Sequence, residues 1–467
     1  MNTSFNPINS EILAQIKAIV GEQAVLVERE HTASYAQDET EDLEFFPEVV
    51  VKPETADQIS NLLKLCNQHR IPVTPRGAGT GLSGGALPVH GGLLISMEKF
   101  NQIIQIDEDN LQARVQPGVI TEVFMDAVAA KGLYYPVDPS SKGSCLLGGN
   151  VAHGSGGPRV VKYGTIREYI LNLEVVLPTG EIIWTGADTL KYASGYNLTQ
   201  LMIGSEGTLG IVTQLVVKLI PKPTQDLLML ASFPSNEQAC AAVSAIFKAG
   251  IVPSAVEFME RKGVEWVIEN DHIAFDLKDD VAAFLLIEVD GHDLDVLFTD
   301  CEKINQVLED FQCSEVLFAD SSAQKEELWR MRRTMAVSVK SNSVYKEEDT
   351  VVPRAALPQL IAGIKTIGSN YGFESICYGH AGDGNLHVNI IKGKMSDADW
   401  NTNLKDGIAE IFKLTVSLGG TISGEHGIGL VQREYMPIKY SETHLNLMRG
   451  IKQVFDPKGI LNPGKIF

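Results

Sequence analysis

Apolar residues return at helical spacing at Ile12, Ile16 and Ile19, which predicts an amphipathic helix over 11–20. The apolar run 48–51 predicts a buried strand. Thr55 and Gln58 form a capping box, and Ile59, Leu62, Leu63 and Cys66 follow on one helix face. A second strand, 71–74, closes a β-α-β unit. Further strands are predicted over 93–96, 111–115 and 215–219, with a helix over 121–130. A hairpin over 170–176 and 181–185 turns at Pro178-Thr179-Gly180. The acidic stretch 38–44 reads as a solvated loop. Pro221-Lys222-Pro223 marks a boundary, after which the pattern changes. Strands over 226–233, 255–259, 281–289 and 315–319 interleave with helices over 236–249 and 297–311. That alternation predicts an α+β domain of the ferredoxin-like type. No internal repeat interrupts the pattern.

Two glycine-rich stretches fit neither periodicity. In Pro75-Arg76-Gly77-Ala78-Gly79-Thr80-Gly81-Leu82-Ser83-Gly84-Gly85, five of eleven residues are glycine, directly after a strand. Such backbone can present successive N–H groups to a phosphate or pyrophosphate. Gly79 to Gly84 matches G-x-G-x-x-G, but Pro88, Gly91 and Gly92 follow, so no helix can open there. The dinucleotide-fold reading is therefore rejected and a phosphate nest retained. The second stretch, 136–157, includes Gly143, Ser144, Gly148, Gly149 and Asn150, and reads as a long loop. A shared extended ligand explains two such stretches better than two unrelated surface loops.

The chain has 467 residues and a net charge of −20, which argues against nucleic acid as a partner. Six scattered cysteines form no C-x-x-C pair, which argues against an iron–sulfur cluster or a zinc ribbon and suggests a reducing, cytoplasmic setting. The N-terminal residues lack a signal-peptide pattern, and the longest apolar run, 281–287, is too short to be a transmembrane segment.

Candidate chemistry lies late in the chain. His380 and His387 flank Gly382-Asp383-Gly384, and Glu425 and His426 sit in the glycine-rich turn 419–429. Two histidines and a carboxylate, His380, His387 and Glu425, make a ligand set for a divalent metal with open positions. The competing reading is two histidines hydrogen-bonded in a polar turn. Imidazole titrates near neutrality, so His426 beside a ligand suits a general base; otherwise it is a surface histidine. Asn389 shares the strand face of His387. Arg330, Arg332 and Arg333 form a basic cluster that fits either a solvated helix face or an anion clamp.

Together these motifs resemble the FAD-dependent oxidoreductases of the vanillyl-alcohol oxidase/p-cresol methylhydroxylase superfamily. The similar branch holds the flavoprotein component of glycolate oxidase, D-lactate dehydrogenase and D-2-hydroxyglutarate dehydrogenase. Besides the two glycine stretches, the resemblance rests on Gly204-Ser-Glu-Gly-Thr-Leu-Gly210, His380-Ala-Gly-Asp-Gly-Asn-Leu-His387, Gly424-Glu-His-Gly427 and the Asn462-Pro-Gly464 ending. It implies a two-subdomain FAD-binding (PCMH-type) domain over 1–222, a ferredoxin-like α+β substrate (cap) domain over 223–454, and a segment 455–467 returning to the first.

The resemblance also implies non-covalent FAD. Arg76, Gly77, Ala78, Gly79, Thr80 and Gly81 would hold its pyrophosphate, and Gly143, Ser144, Gly148, Gly149 and Asn150 would line its isoalloxazine and ribityl side. Glu206, Gly210 and Ile211 would complete that site. It implies a metal (Zn, Mn or Fe) on His380, His387 and Glu425, a substrate-carboxylate clamp at Arg332, and a further catalytic candidate at Lys346. The implied reaction oxidises a D-2-hydroxy acid such as D-lactate or glycolate to the 2-oxo acid, with His426 taking the hydroxyl proton. Electrons would pass to an external acceptor: a quinone, a cytochrome or an electron-transfer flavoprotein. A homodimer and a position peripheral to the membrane are compatible with it. The competing readings are a non-redox flavoprotein like the alkyl-dihydroxyacetone-phosphate synthases and an electron-transfer component of a glycolate oxidase complex.

Overall fold

The structure, a computed structural model, describes residues 4–273 and 275–467. Its residues group into two compact units. One comprises 1–156, 165–222 and 425–467; the other comprises 157–164 and 223–424. These groups are not the sequence segments expected: residues 425–454 join the first unit, and 157–164 join the second.

In the first unit, strands Val49–Val51, Leu93–Ser96 and Val73–Arg76 run parallel, and Val25–Leu26 adds an antiparallel edge. Helix Ala56–His69 links two of them. Thr55 Oγ1 accepts from the Gln58 N–H, and Gln58 Oε1 accepts from the Thr55 N–H. A cap of this kind contributes about 1 kcal/mol. Ile59, Leu62, Leu63 and Cys66 from that helix pack with Val73, Leu93 and Ile95 in one buried cluster. A five-stranded antiparallel sheet runs in the order Ile103–Asp107, Gln112–Val115, Ile211–Lys218, Ile170–Val176, Ile182–Trp184. The C-terminal residues return to the parallel sheet: Val73 bridges Leu461, and the Asn462 N–H donates to Val73 O at 2.7 Å.

The second unit carries a seven-stranded antiparallel sheet. Its order is Glu315–Ala319, Gln225–Phe233, Ala283–Gly291, Ala255–Glu260, Glu374–His380, Asn385–Ile391, Tyr345–Val351. Leu228, Leu230, Met259, Phe284, Leu286, Met335 and Ile376 belong to its core. Helix Leu294–Glu309 begins three residues before the predicted start, because the Asp293 carboxylate accepts from the Asp295 and Val296 N–H groups.

Helices Arg261–Asp271, Met335–Asn342, Leu357–Tyr371, Asp397–Ser417 and Glu442–Phe455 have no counterpart in the sequence reading, and three further elements it misses bear on the site. Strand Ile103–Asp107 is one. The second is Tyr345–Val351, whose Lys-Glu-Glu-Asp content hides an edge strand. The third is helix Leu147–His153 inside the stretch expected as loop. There tertiary packing overrides the low helix propensity of two glycines: a β-carbon at Gly148 would overlap Pro117.

Candidate functional site

The first unit contains a half-open cavity with about 740 Å³ of non-protein space, open solvent included. Of the residues expected to hold a cofactor, Arg76, Gly77, Gly148, Gly149, Glu206, Gly210 and Ile211 line it. Ala78, Gly79, Thr80, Gly81 and Asn150 lie outside its lining, as do Gly143 and Ser144, which are exposed. Asn150 donates instead to Thr121 Oγ1 at 2.7 Å. Arg76 extends one guanidinium nitrogen to the carbonyls of Ser34 and Gln37, at 3.2 and 2.7 Å, and so braces the glycine loop from behind. Gly77, Gly85, Gly148, Gly149, Gly207 and Gly210 form much of the cavity wall, which lets a ligand approach the backbone closely. At Gly207, with φ +64°, a β-carbon would sit 2.7 Å from Pro75 Cγ.

Besides Arg76 and Ser205, two polar side chains in this wall, Glu206 and His153, reach toward the turn bearing His426. Glu206 is buried, and its two carboxylate oxygens accept from the N–H groups of Ile428 and Gly429, both at 2.7 Å. Burial pushes its carboxyl above the ordinary value of 4.5, against the opposing pull of His153 and the two N–H donors. His153 also lines the cavity, and its Nδ1 lies 3.1 Å from the carbonyl oxygen of His426. The pair therefore ties the cavity wall to the turn bearing Glu425 and His426, all within the first unit. His153 was not among the expected site residues, since it sits in no motif that marks a flavin attachment.

In the second unit the chemistry comes from sheet register. Tyr378 faces His387, Glu257 faces His380, Ile376 faces Asn389, and Glu347 faces Asn389 from the other side. Side chains alternate with period two, so Glu257, Tyr378, His380, His387, Asn389 and Glu347 share one face of the sheet. Lys346 pairs with Ile390 and so belongs to the opposite face, apart from the histidines. The strands carrying His380 and His387 are joined by 381–384. Gly384 has φ +89°, and a β-carbon there would overlap the Val352 carbonyl.

The two imidazole rings meet edge to face, with centroids 5.4 Å apart. His380 Nδ1 donates to Glu257 Oε1 and Oε2, at 2.8 and 2.9 Å. Glu347 Oε1 lies 3.6 Å from His387 Nδ1. A carboxylate behind the ring nitrogen is how imidazole ligands of a divalent cation are held, so the chemistry of this donor set fits such an ion. Arg332 ends helix Ser322–Arg333 and is the buried arginine of its cluster; Arg330 and Arg333 are exposed. Arg332 Nη2 lies 2.7 Å from Glu257 Oε2, and the guanidinium carbon stands 5.0 Å from the Tyr378 ring centroid. Burial pushes the Glu257 carboxyl up, but facing His380 and Arg332 outweighs it and leaves it below 4.5. Asn389 is fully buried, and its amide meets the Tyr378 hydroxyl but makes no well-aligned hydrogen bond among the described residues. A buried amide that lacks a good hydrogen bond costs about 1–3 kcal/mol, which a polar ligand would relieve.

The cysteines drop out as nucleophiles. All six are free thiols, and burial pushes Cys66 and Cys377 up to about 12. Among the described residues, no helix is long and apolar enough to cross a membrane.

Comparison with known proteins matches residues 47–186 to the FAD binding domain and 222–466 to the FAD linked oxidases, C-terminal domain. The chain is 40% identical over 440 residues to glycolate oxidase subunit GlcD of Bacillus subtilis, covering 93% of this chain and 92% of that protein. It is 36% identical to a D-lactate dehydrogenase of Anaerostipes hadrus, covering 99% and 98%, and 31% identical to a D-2-hydroxyglutarate dehydrogenase of Stutzerimonas stutzeri, covering 98% of each. Among solved structures, p-cresol methylhydroxylase superposes with a TM-score of 0.81 at 17% identity, covering 99% of this chain and 98% of that one. An alkyldihydroxyacetonephosphate synthase superposes at 0.74 and 17%, covering 99% and 86%. The α+β architecture is thus the PCMH-type FAD-binding fold. With more than half its length in the oxidase C-terminal domain and an FAD-binding domain before it, the chain belongs to the FAD-linked oxidase family and is an FAD-dependent oxidoreductase.

Proposed function

We propose that this flavoprotein is a dehydrogenase that oxidises a D-2-hydroxy acid, such as D-lactate or glycolate, to the 2-oxo acid. The observation that carries this reading is the single sheet face of the second unit. It sets a buried arginine, two paired histidines and a buried asparagine amide beside one another. That is the complement of a small acid bearing one carboxylate and one neighbouring hydroxyl. The names of the relatives, a glycolate oxidase subunit and dehydrogenases of D-lactate and D-2-hydroxyglutarate, support the same substrate class.

In this reading Arg332 binds the substrate carboxylate through its planar guanidinium. His380 and His387 hold a divalent cation with Glu425 as a third ligand, and Asn389 hydrogen-bonds the substrate. His426 takes the hydroxyl proton as general base. Glu425 and His426 enter on the sequence argument, since they belong to the first unit. When bound, FAD would supply the hydride-accepting chemistry and a cation Lewis acidity, while the protein provides binding, orientation and proton transfer. Electrons then leave to an external acceptor, which we take to be a quinone, a cytochrome or an electron-transfer flavoprotein. Likeness to the alkyldihydroxyacetonephosphate synthase at 17% identity is one of fold, and carries no activity across.

The test is a dye-coupled assay over a panel of D- and L-2-hydroxy acids, in metal-replete and chelator-treated buffer. Turnover of at least one D-acid, abolished by chelation and restored by Mn²⁺ or Zn²⁺, is the expected result. Full activity after chelation removes the cation from the scheme, and turnover confined to L-acids removes the substrate class.

A further inference from the structure

One buried acid in the second unit is tied to two groups of the proposed site, and no role in the reaction has been given to it. Glu257 lies in strand Ala255–Glu260, inside the apolar run Ala255-Val-Glu-Phe-Met259, with no exposed surface. Register sets it opposite His380. Both of its oxygens receive the His380 Nδ1–H, and Oε2 also faces Arg332 Nη2 at 2.7 Å. One carboxylate thus touches a proposed metal ligand and the proposed carboxylate clamp.

We propose that Glu257 is a positioning residue that prepares both. By accepting the Nδ1 proton it fixes the His380 tautomer, which leaves the lone pair on Nε2 for a divalent cation. By anchoring Arg332 through Nη2 it holds the guanidinium plane in place. That contact is an ion pair and not an aligned hydrogen bond, and neither Nε nor Nη2 of Arg332 has a hydrogen-bond partner among the described residues, so both remain available to a ligand. A glutamine at 257 keeps the volume but places an N–H₂ group against either the imidazole N–H or the guanidinium, so one donor must face another. An aspartate keeps the charge but is shorter by one methylene and cannot reach both partners from the same strand position. The inference rests on the function proposed above. It adds that cation affinity and substrate affinity have a common determinant in a residue that touches neither.

The test compares wild type, Glu257→Gln and Glu257→Asp as full-length, FAD-loaded proteins, with FAD content and melting temperature as controls of folding. Mn²⁺ is titrated by calorimetry, and KM and kcat are measured on the best D-2-hydroxy acid. The expected result for Glu257→Gln is Mn²⁺ binding weakened by roughly 10- to 100-fold, as for other carboxylates behind a metal-bound histidine, together with a raised KM and an FAD content equal to wild type. Glu257→Asp is expected to impair both affinities, and it decides the question should the glutamine variant not fold. Wild-type Mn²⁺ affinity and an unchanged KM in a folded, FAD-loaded variant overturn the proposal. Absence of Mn²⁺ binding by wild type instead overturns the cation reading itself. The Arg332 half then stands or falls on KM alone.

Discussion

The two units meet their ligands by opposite means. The cavity of the first is made by what is missing: a β-carbon at Gly148 would overlap Pro117, and one at Gly210 would overlap Val175 Cγ1. The working face of the second unit is made by what is present, with Glu257, His380, His387, Asn389 and Arg332 brought together from three strands and a helix. A surface that must follow a large planar cofactor closely is built from backbone. A face proposed to bind an anion is built from charged and polar side chains. The contrast separates two kinds of failure, loss of cofactor and loss of chemistry with the cofactor retained.

The largest effect is expected from Gly210→Val. Overpacking against Val175 costs about 1–3 kcal/mol of stability, and the protein should be recovered without FAD, read from the visible absorbance per chain. A variant with a full complement of FAD would break the comparison on the first side. Next is His426→Ala, expected to lower kcat by roughly 10²- to 10⁴-fold with FAD content unchanged, since it removes a general base and no cavity wall. Arg332→Lys is expected to raise KM by roughly 10- to 100-fold, because a point charge replaces a planar fork. Co-purification of either variant without flavin would erase the distinction between the two faces.

The smallest effect concerns Glu206, the one acid in the cavity wall. Its folded-state carboxyl is raised by burial, so the folded chain holds a proton there that the unfolded chain releases. The associated stability is fully present below the ordinary value of 4.5 and is lost as pH rises through the folded value. The difference in melting temperature between wild type and Glu206→Gln should therefore shrink as pH rises from 4.5, whereas a difference that grows would contradict the assignment. At fixed pH the glutamine can accept from only one of the Ile428 and Gly429 N–H groups, a loss of about 1–3 kcal/mol.

How much of this was legible in the sequence follows the range of the interaction. The capping box at Thr55 and Gln58 is local and appears as expected. So does the placement of Asn389 on the strand face of His387, which period two dictates once the strand is found. Helix Leu147–His153 was hidden because one of its two glycines, Gly148, answers to Pro117, distant in the chain. The parity that separates Lys346 from the histidines was available in principle, but only after a charged segment had been read as an edge strand. Glu257 left one faint signal, an acid at an inward position of an apolar strand. Such a group needs a cation partner, but His380 stands more than a hundred residues away, and only sheet register identifies it.

The central claim is that bound flavin takes its electrons from a D-2-hydroxy acid held on the second unit's polar face. The most direct test is anaerobic mixing of the metal-replete, FAD-loaded protein with D-lactate, glycolate, D-malate and D-2-hydroxyglutarate, and with the L-enantiomers of the chiral acids, while the oxidised flavin band is followed. The account predicts bleaching by at least one of the D-acids or glycolate, no bleaching by the L-enantiomers, and none by any acid in the Arg332→Lys variant at the concentration that suffices for wild type. A flavin that stays oxidised with all four, in a protein with full FAD and metal, would contradict it.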